Sequence, residues 1–487
     1  MYGFRTTRRA ALAALVVSLA AAPAGLAAPE VLDGRLGVRA AATGLDQPVS
    51  VAFLGPDDML VLEKASGRVR RVVGGSIAGT VLDLAVNSAS ERGLLGIALD
   101  KHFKTTGAVY LFWSESTTGA DSVALADVPL LGNRVDRFVW DGSALTFDRN
   151  LLRLRAFQAD AGQPLRGNHD GGVLRIGPDG KLFVVAGDTG RRGQMQNLAN
   201  GPFGPGIPDD QFGGPEPDDA HLTGVILRLN TDGTAPKGNP FYRLGARIGG
   251  EVGENLQKVY AYGLRNSFGL AFDPKSKRLW EQENGDDAFS ELNRVEPGFN
   301  SGWVQIMGPA SRVTQFKAIE TTVAPDPPDP FAVSYLGLQQ IRWPPANIAD
   351  TPQEALGRLF RLPGSEFSDP EFSWKFEVAP GGIGFLESKA LGKGYRNDLF
   401  VAGARPFLEG GHLFRFDLTA NRKHVRVTDP RLADRVADNR HKWEITESES
   451  LLFGRNFGVG TDIQTGPNGN LYVVSLSDGA VYEIFRR

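Results

Sequence analysis

The stretch Asn168-His169-Asp170-Gly171-Gly172-Val173-Leu174-Arg175-Ile176 runs through the turn Pro178-Asp179-Gly180 into Leu182-Phe183-Val184-Val185. A short apolar segment, a Pro-Asp-Gly turn and an unbroken apolar run describe two antiparallel strands, the second buried on both faces. The same order returns near the C-terminus as Asp462-Ile463-Gln464, Pro467-Asn468-Gly469 and Leu471-Tyr472-Val473-Val474. One hairpin written twice, so far apart, is the mark of a repeat.

Working outward, four more units fit, each with a third strand after the hairpin. The first covers 49–53, 59–62 and 67–72, and the second 93–99, 109–113 and 134–138. The unit around His169 adds 225–229. The fourth covers 269–272, 278–280 and 291–295, the fifth 382–385, 398–401 and 412–416, and the sixth ends with 480–484. Six units of short strands separated by turns predict an all-β fold, a six-bladed β-propeller.

Aligned on Val51, Ile97, Leu174, Leu270, Ile383 and Ile463, the units place Asp46, Arg92, His169, Arg265, Val378 and Gly458 five residues upstream. Radial repetition aims such positions at one end of a central channel. Asp46, Arg92, His169 and Arg265 are therefore expected to form one polar constellation. Three insertions, 190–222, 308–376 and 429–458, break the spacing. Long loops on a rigid scaffold often carry specificity, and some of these are expected to roof the channel mouth. Within the second, Pro352-Gln353-Glu354-Ala355-Leu356-Gly357-Arg358 reads as a short helix.

Composition narrows the function. Sixty glycines, 30 prolines and 41% hydrophobic residues in 487 describe a turn-rich chain with ample core material. A net charge of −3 without a basic cluster argues against a nucleic-acid partner. The absence of cysteine excludes disulfides, thiolate zinc and cysteine-ligated iron–sulfur centres. At the N-terminus, Arg5, Arg8 and Arg9 precede an apolar run over 10–22, then Ala22-Pro23-Ala24 and Gly25-Leu26-Ala27. Residues 1–27 therefore read as a signal peptide and 28–487 as the propeller, secreted or periplasmic and without a membrane span.

Three groups of residues carry chemistry. His169 is followed by two glycines, and Gly187-Asp188 closes the hairpin of its own unit. A carboxylate beside a histidine fixes its tautomer, which suits a general base; a lone histidine is more often a satisfied turn or core group. Arg265-Asn266 pairs a guanidinium with a carboxamide, suited to holding oxygens on which charge develops, although blades are also tied together by arginines. Glu283-Asn284-Gly285-Asp286-Asp287 and Glu291 supply oxygen donors of the kind calcium takes, and equally read as a solvated acidic turn.

The chain resembles the glucose/sorbosone dehydrogenase family, soluble aldose dehydrogenases that use pyrroloquinoline quinone (PQQ) on a six-bladed propeller. The resemblance is carried by Gly93-Leu94-Leu95-Gly96, His169-Asp170-Gly171-Gly172, Gly187-Asp188, Tyr262-Gly263-Leu264-Arg265-Asn266, Glu291-Leu292-Asn293, Pro297-Gly298-Phe299-Asn300-Ser301-Gly302-Trp303 and Asp462-Ile463. It implies oxidation of the anomeric hydroxyl of an aldose to a lactone, with electrons passed to an external acceptor. His169 would be the base, oriented by Asp188, and Arg265 and Asn266 would hold the quinone oxygens. One calcium would sit on carbonyls of Gly285-Asp286 and another on Glu291 and a carbonyl of Ser301. The chain departs from the family pattern in several places. Glu91-Arg92 stands where a glutamine precedes Gly-Leu-Leu-Gly, and Asp286 replaces the proline of the calcium turn. For the basic residues with which the family grips the cofactor carboxylates, Arg405 is the only stand-in in place, and Arg455 lies a few residues upstream of the sixth-unit stretch Gly458-Val459-Gly460-Thr461. Two other readings stay open: a calcium-dependent lactonase-like hydrolase, and a non-catalytic propeller binding glycans or a protein.

Overall fold

Each of the six hairpins forms, and the reason lies in its second strand. Ala108–Ser114, Leu182–Ala186, Leu399–Gly403 and Leu471–Ser475 are buried at every position. An unbroken apolar run satisfies a strand covered on both faces by neighbouring sheets. The computed structural model describes residues 27–157, 167–190, 222–321, 345–404 and 410–487. The expected signal peptide, apart from Ala27, lies outside the described residues, as does Arg405.

The strands assemble into six sheets among the described residues. In chain order their first two strands are Pro48–Gly55 and Asp58–Glu63, Leu94–Leu99 and Ala108–Ser114, Leu174–Ile176 and Leu182–Ala186, Gly269–Phe272 and Leu279–Glu283, Pro380–Phe385 and Leu399–Gly403, and Gly460–Thr465 and Leu471–Ser475. The first strand of each sheet packs against the first strand of the next, and that of the sixth returns to the first. The fold is an all-β propeller, its inner strands closing a ring. They pass almost backbone to backbone: a Cβ on Gly96 would lie 2.0 Å from the Gly172 carbonyl oxygen. That is why the second unit reads Gly-Leu-Leu-Gly.

The outer strands were not legible in the repeat. Ser76–Asp83 and Leu145–Leu154 are largely exposed, Val259–Tyr262 follows two short helices, and Phe372–Phe376 and Leu452–Arg455 stand at the ends of stretches read as insertions. The sixth sheet takes its fourth strand, Leu36–Ala42, from the N-terminal side, paired antiparallel with Ala480–Arg486. The closure joins the two ends of the domain. Pro352–Arg358 is the expected helix, with Thr351 capping it through the Glu354 amide. No helix among the described residues is long and apolar enough to cross a membrane.

Between sheets the core is aromatic. Trp280, Trp374, Phe385 and Phe414 fill the space between the fourth and fifth sheets. The axis itself is bridged by charge: an Arg175 terminal nitrogen lies 2.6 Å from Asp462 Oδ1, joining the third sheet to the sixth. Asp462 Oδ2 accepts from Ser50 Oγ at 2.8 Å and the Val51 amide at 3.1 Å, and Arg175 Nε donates to the Leu270 carbonyl at 3.0 Å. One ion pair thus ties four sheets across the ring.

Candidate active site

The lead-in loops of the third and fourth sheets converge at Gly187. A Cβ there would lie 2.4 Å from the His169 carbonyl oxygen and 2.8 Å from that of Arg265, so only glycine lets the segment pass between the two loops. The Asp188 amide donates to the Arg265 carbonyl at 2.8 Å. His169 adopts φ 61°, a left-handed conformation uncommon for a non-glycine residue. Its amide is held by Glu91 Oε2 at 2.6 Å.

This backbone places His169 Nδ1 2.6 Å from Asp188 Oδ1. The Asp188 carboxylate is fully buried and receives two more donors, Trp303 Nε1 at 2.9 Å and the Gly190 amide at 2.8 Å. With those two donors holding it, the carboxylate faces the imidazole as an acceptor, which places the imidazole proton on Nδ1 and leaves the Nε2 lone pair free. Arg265 stacks over Trp303, its guanidinium carbon 5.4 Å from the ring centre. It donates to the Asn284 carbonyl at 3.0 Å and to Asp286 Oδ1 at 2.9 Å. Asn266 Nδ2 reaches Glu91 Oε2 at 3.4 Å. Arg265 Nε and Asn266 Oδ1 are buried yet have no hydrogen-bond partner among the described residues.

Glu91, His169, Asp188, Arg265 and Asn266 therefore meet, but the constellation expected from the alignment is only half formed. Arg92 points into the loops of its own sheet, its Nε on the Ala156 carbonyl at 2.9 Å and a terminal nitrogen on the Leu125 carbonyl at 2.9 Å. Its neighbour Glu91 faces His169 in its place. Asp46 stays exposed. Asp170 beside the histidine is buried, and burial pushes its carboxyl up to about 6, against the pull of Arg92 and Asn133.

The fourth sheet holds more acid than its sequence advertises. Glu281, Glu283 and Glu291 are buried together; burial pushes Glu281 up to about 8 and Glu291 to about 7, and holds Glu283 well above its ordinary value. Asn293 Nδ2 bridges Glu281 Oε1 at 2.8 Å and Glu291 Oε2 at 2.9 Å, and Glu291 also accepts from the Gly308 amide. Ser301 Oγ donates to Glu283 Oε2 at 2.7 Å. Beside Gly285-Asp286, Glu320 Oε1 accepts from the Asp287 amide at 2.8 Å. Lys442 Nζ donates to the Asp286 carbonyl at 3.1 Å and to Asp287 Oδ1 at 3.0 Å. Burial alone would lower the lysine, but Asp287 and Glu377 outweigh it and hold it above its ordinary value. Among the described residues no group of three or more histidine or carboxylate side chains is arranged to hold a metal.

Trp303, Glu281, Glu320, Glu377 and Lys442 were not singled out in the sequence as site residues. Trp303 stood in a recognisable block without a role. The others carry no local signal, because only tertiary burial sets them apart from solvated charges.

A propeller whose lead-in loops join a histidine–carboxylate pair to an Arg-Asn pair is the class the structure defines. Comparison gives the family. The model of the glucose/sorbosone dehydrogenases matches residues 45–333, and the chain belongs to that family. It is 31% identical over 310 residues to an uncharacterised protein of Synechocystis, 60% of this chain and 64% of that one. It is 29% identical over 271 residues to quinoprotein glucose dehydrogenase B of Acinetobacter calcoaceticus, 55% of this chain and 52% of the relative. These matches span between half and two thirds of the relatives' length. The fold is shared with the PQQ-bound aldose sugar dehydrogenase of Streptomyces coelicolor, at TM-score 0.53 and 22% identity over 94% of this chain and all of the other.

Proposed function

We propose that this protein is an exported dehydrogenase that uses PQQ to oxidise the anomeric hydroxyl of an aldose to the lactone, with electrons leaving to an external acceptor. In this reading the six sheets are six blades of one propeller over 28–487, reached after removal of a signal peptide at 1–27. The observation that carries it is the His169–Asp188 pair, set beside Arg265 and Asn266 in a chain whose relatives include quinoprotein glucose dehydrogenase B.

The residues fit the quinone. Arg265 Nε and Asn266 Oδ1 are buried without partners among the described residues, an arrangement that favours a polar ligand between them. Arg265 Nε would donate to a quinone oxygen and Asn266 Oδ1 would accept from a donor group of the ligand, with Glu91 fixing Asn266 through its Nδ2; Arg405, outside the described residues, would grip a carboxylate. When bound, PQQ supplies a two-electron acceptor for hydride. His169 Nε2 would take the proton of the sugar C1 hydroxyl, acting as the base in the oxidation of C1 to the lactone carbonyl. Asp188 stabilises the imidazolium, and its contacts to Trp303 and Gly190 stop it from following the proton. Arg265 would hold the quinone with a positive charge suited to oxygens on which negative charge develops.

Calcium at Gly285-Asp286 does not fit the residues present, because the Asp286 carbonyl is engaged by Lys442. At the second expected position the Glu291 carboxylate accepts from Asn293 Nδ2 and the Gly308 amide. The test of the reading is oxidation of aldoses with a dye acceptor, dependent on PQQ. Activity without PQQ, or none with it, would refute it.

A further inference from the structure

We infer that the Lys442 ammonium is the resident cation of this site, occupying the position at the Gly285-Asp286 turn where a divalent ion was expected, so that cofactor binding is independent of calcium. The inference rests on the PQQ reading.

The chain around Lys442 is pinned on both sides. Asn439 exchanges hydrogen bonds with Phe376, its Oδ1 accepting from the amide at 2.8 Å and its Nδ2 donating to the carbonyl at 3.0 Å. The Trp443 amide donates to the Glu377 carbonyl at 2.8 Å, and the Glu377 amide to the Asp287 carbonyl at 3.1 Å. Between these anchors the lysine is driven inward and left 7% exposed. Its ammonium meets a backbone carbonyl at 3.1 Å, a carboxylate oxygen of Asp287 at 3.0 Å and one of Glu377 at 3.8 Å. A carbonyl and two carboxylates are the donor types a calcium ion takes. Here a tethered charge answers them.

The second cation of the network is Arg265, paired with Asp286 one residue before Asp287. Lys442 therefore neutralises the far side of the turn whose near side orients the arginine. A lysine reaches this place only because the 429–458 segment is long enough to fold back onto the fourth and fifth sheets. A covalently held cation cannot be removed by a chelator, whereas an ion on the same donors can.

The experiment uses the full mature chain, stripped of metal, with PQQ, calcium and terbium as probes. Wild type is expected to bind PQQ with the same affinity, within about twofold, in chelator and in millimolar calcium. Lys442→Met is expected to lose about tenfold or more in PQQ affinity in chelator and to regain it with calcium. Without PQQ, the variant should gain tryptophan-sensitised terbium emission that calcium displaces, since Trp443 adjoins the vacated position; wild type should lack it. Calcium-dependent PQQ binding by wild type, or equal terbium emission from both proteins, would overturn the inference. Should Lys442→Met fail to fold, the wild-type titration alone decides. If wild type binds no PQQ in either buffer, the cofactor reading fails, and the terbium comparison still decides the lysine.

Discussion

Replacing Asp188 with asparagine tests the pair at the centre of the site. The carboxylate accepts three hydrogen bonds, two at Oδ1 from His169 and Gly190 and one at Oδ2 from Trp303. Asparagine keeps the shape but has one acceptor oxygen. If that oxygen serves His169 and Gly190, its amide nitrogen meets Trp303 Nε1, donor against donor. A buried donor left unpaired costs ~1–3 kcal/mol, so stability should fall by about that amount. The effect on rate is separate and larger. The anion that faces the imidazolium is gone, and the comparable exchange behind a catalytic histidine lowers turnover by as much as ~10⁴-fold. We expect kcat for aldose oxidation to fall ~10²–10⁴-fold, equivalent to ~3–5 kcal/mol, with PQQ affinity little changed. The assay is dye-linked oxidation in saturating PQQ, with urea unfolding and PQQ titration run alongside. A folded variant that binds PQQ and keeps a third of wild-type kcat would refute the role given to Asp188.

Three further predictions follow from individual contacts. Glu91 uses only Oε2 toward His169 and Asn266, so Glu91→Gln should keep both contacts and stay within about threefold of wild-type activity, whereas Glu91→Ala should lose ~1–3 kcal/mol of stability by orphaning the His169 amide; urea unfolding and kcat/KM check both. The folded carboxyl of Asp170, raised from 3.8 to about 6, holds its proton more tightly than the unfolded one. Its contribution is complete below pH 3.8 and is lost as pH rises through about 6, a span worth ~3 kcal/mol. Asp170→Asn should therefore flatten the stability–pH curve across that window in urea unfolding, and an unchanged slope would contradict the assignment. Arg175→Met leaves Asp462 without its cation; breaking a buried pair costs ~3–5 kcal/mol, and the lower end applies because 18% of the arginine side chain is exposed. A loss under ~0.5 kcal/mol on urea unfolding would show that the bridge across the axis contributes nothing.

Inner strands were legible because burial on both faces forces continuous apolar sequence, as in Leu182-Phe183-Val184-Val185. Outer strands such as Ser76–Asp83 alternate or expose their residues and resemble loop, and no local pattern announces that Leu36–Ala42 completes the sheet of the C-terminal strands. In the site, His169, Asp188, Arg265 and Asn266 sit in short Gly-bearing motifs whose spacing is local. Arg92 misled because the alignment fixed its Cα, not its side chain, which turned away while Glu91 turned in. Lys442 and Glu320 could not be read at all: each lies in a charged or helical stretch typical of surface, and only the folding back of the 429–458 and 308–376 segments buries them.

The most direct test of the account loads the metal-stripped mature protein with PQQ and follows the cofactor spectrum on adding an aldose, for wild type and His169→Ala. The account predicts stoichiometric binding by both proteins, prompt reduction in wild type and reduction slowed at least ~10²-fold in the variant. Failure of wild type to bind micromolar PQQ, or equally fast reduction in the absence of His169, would contradict it.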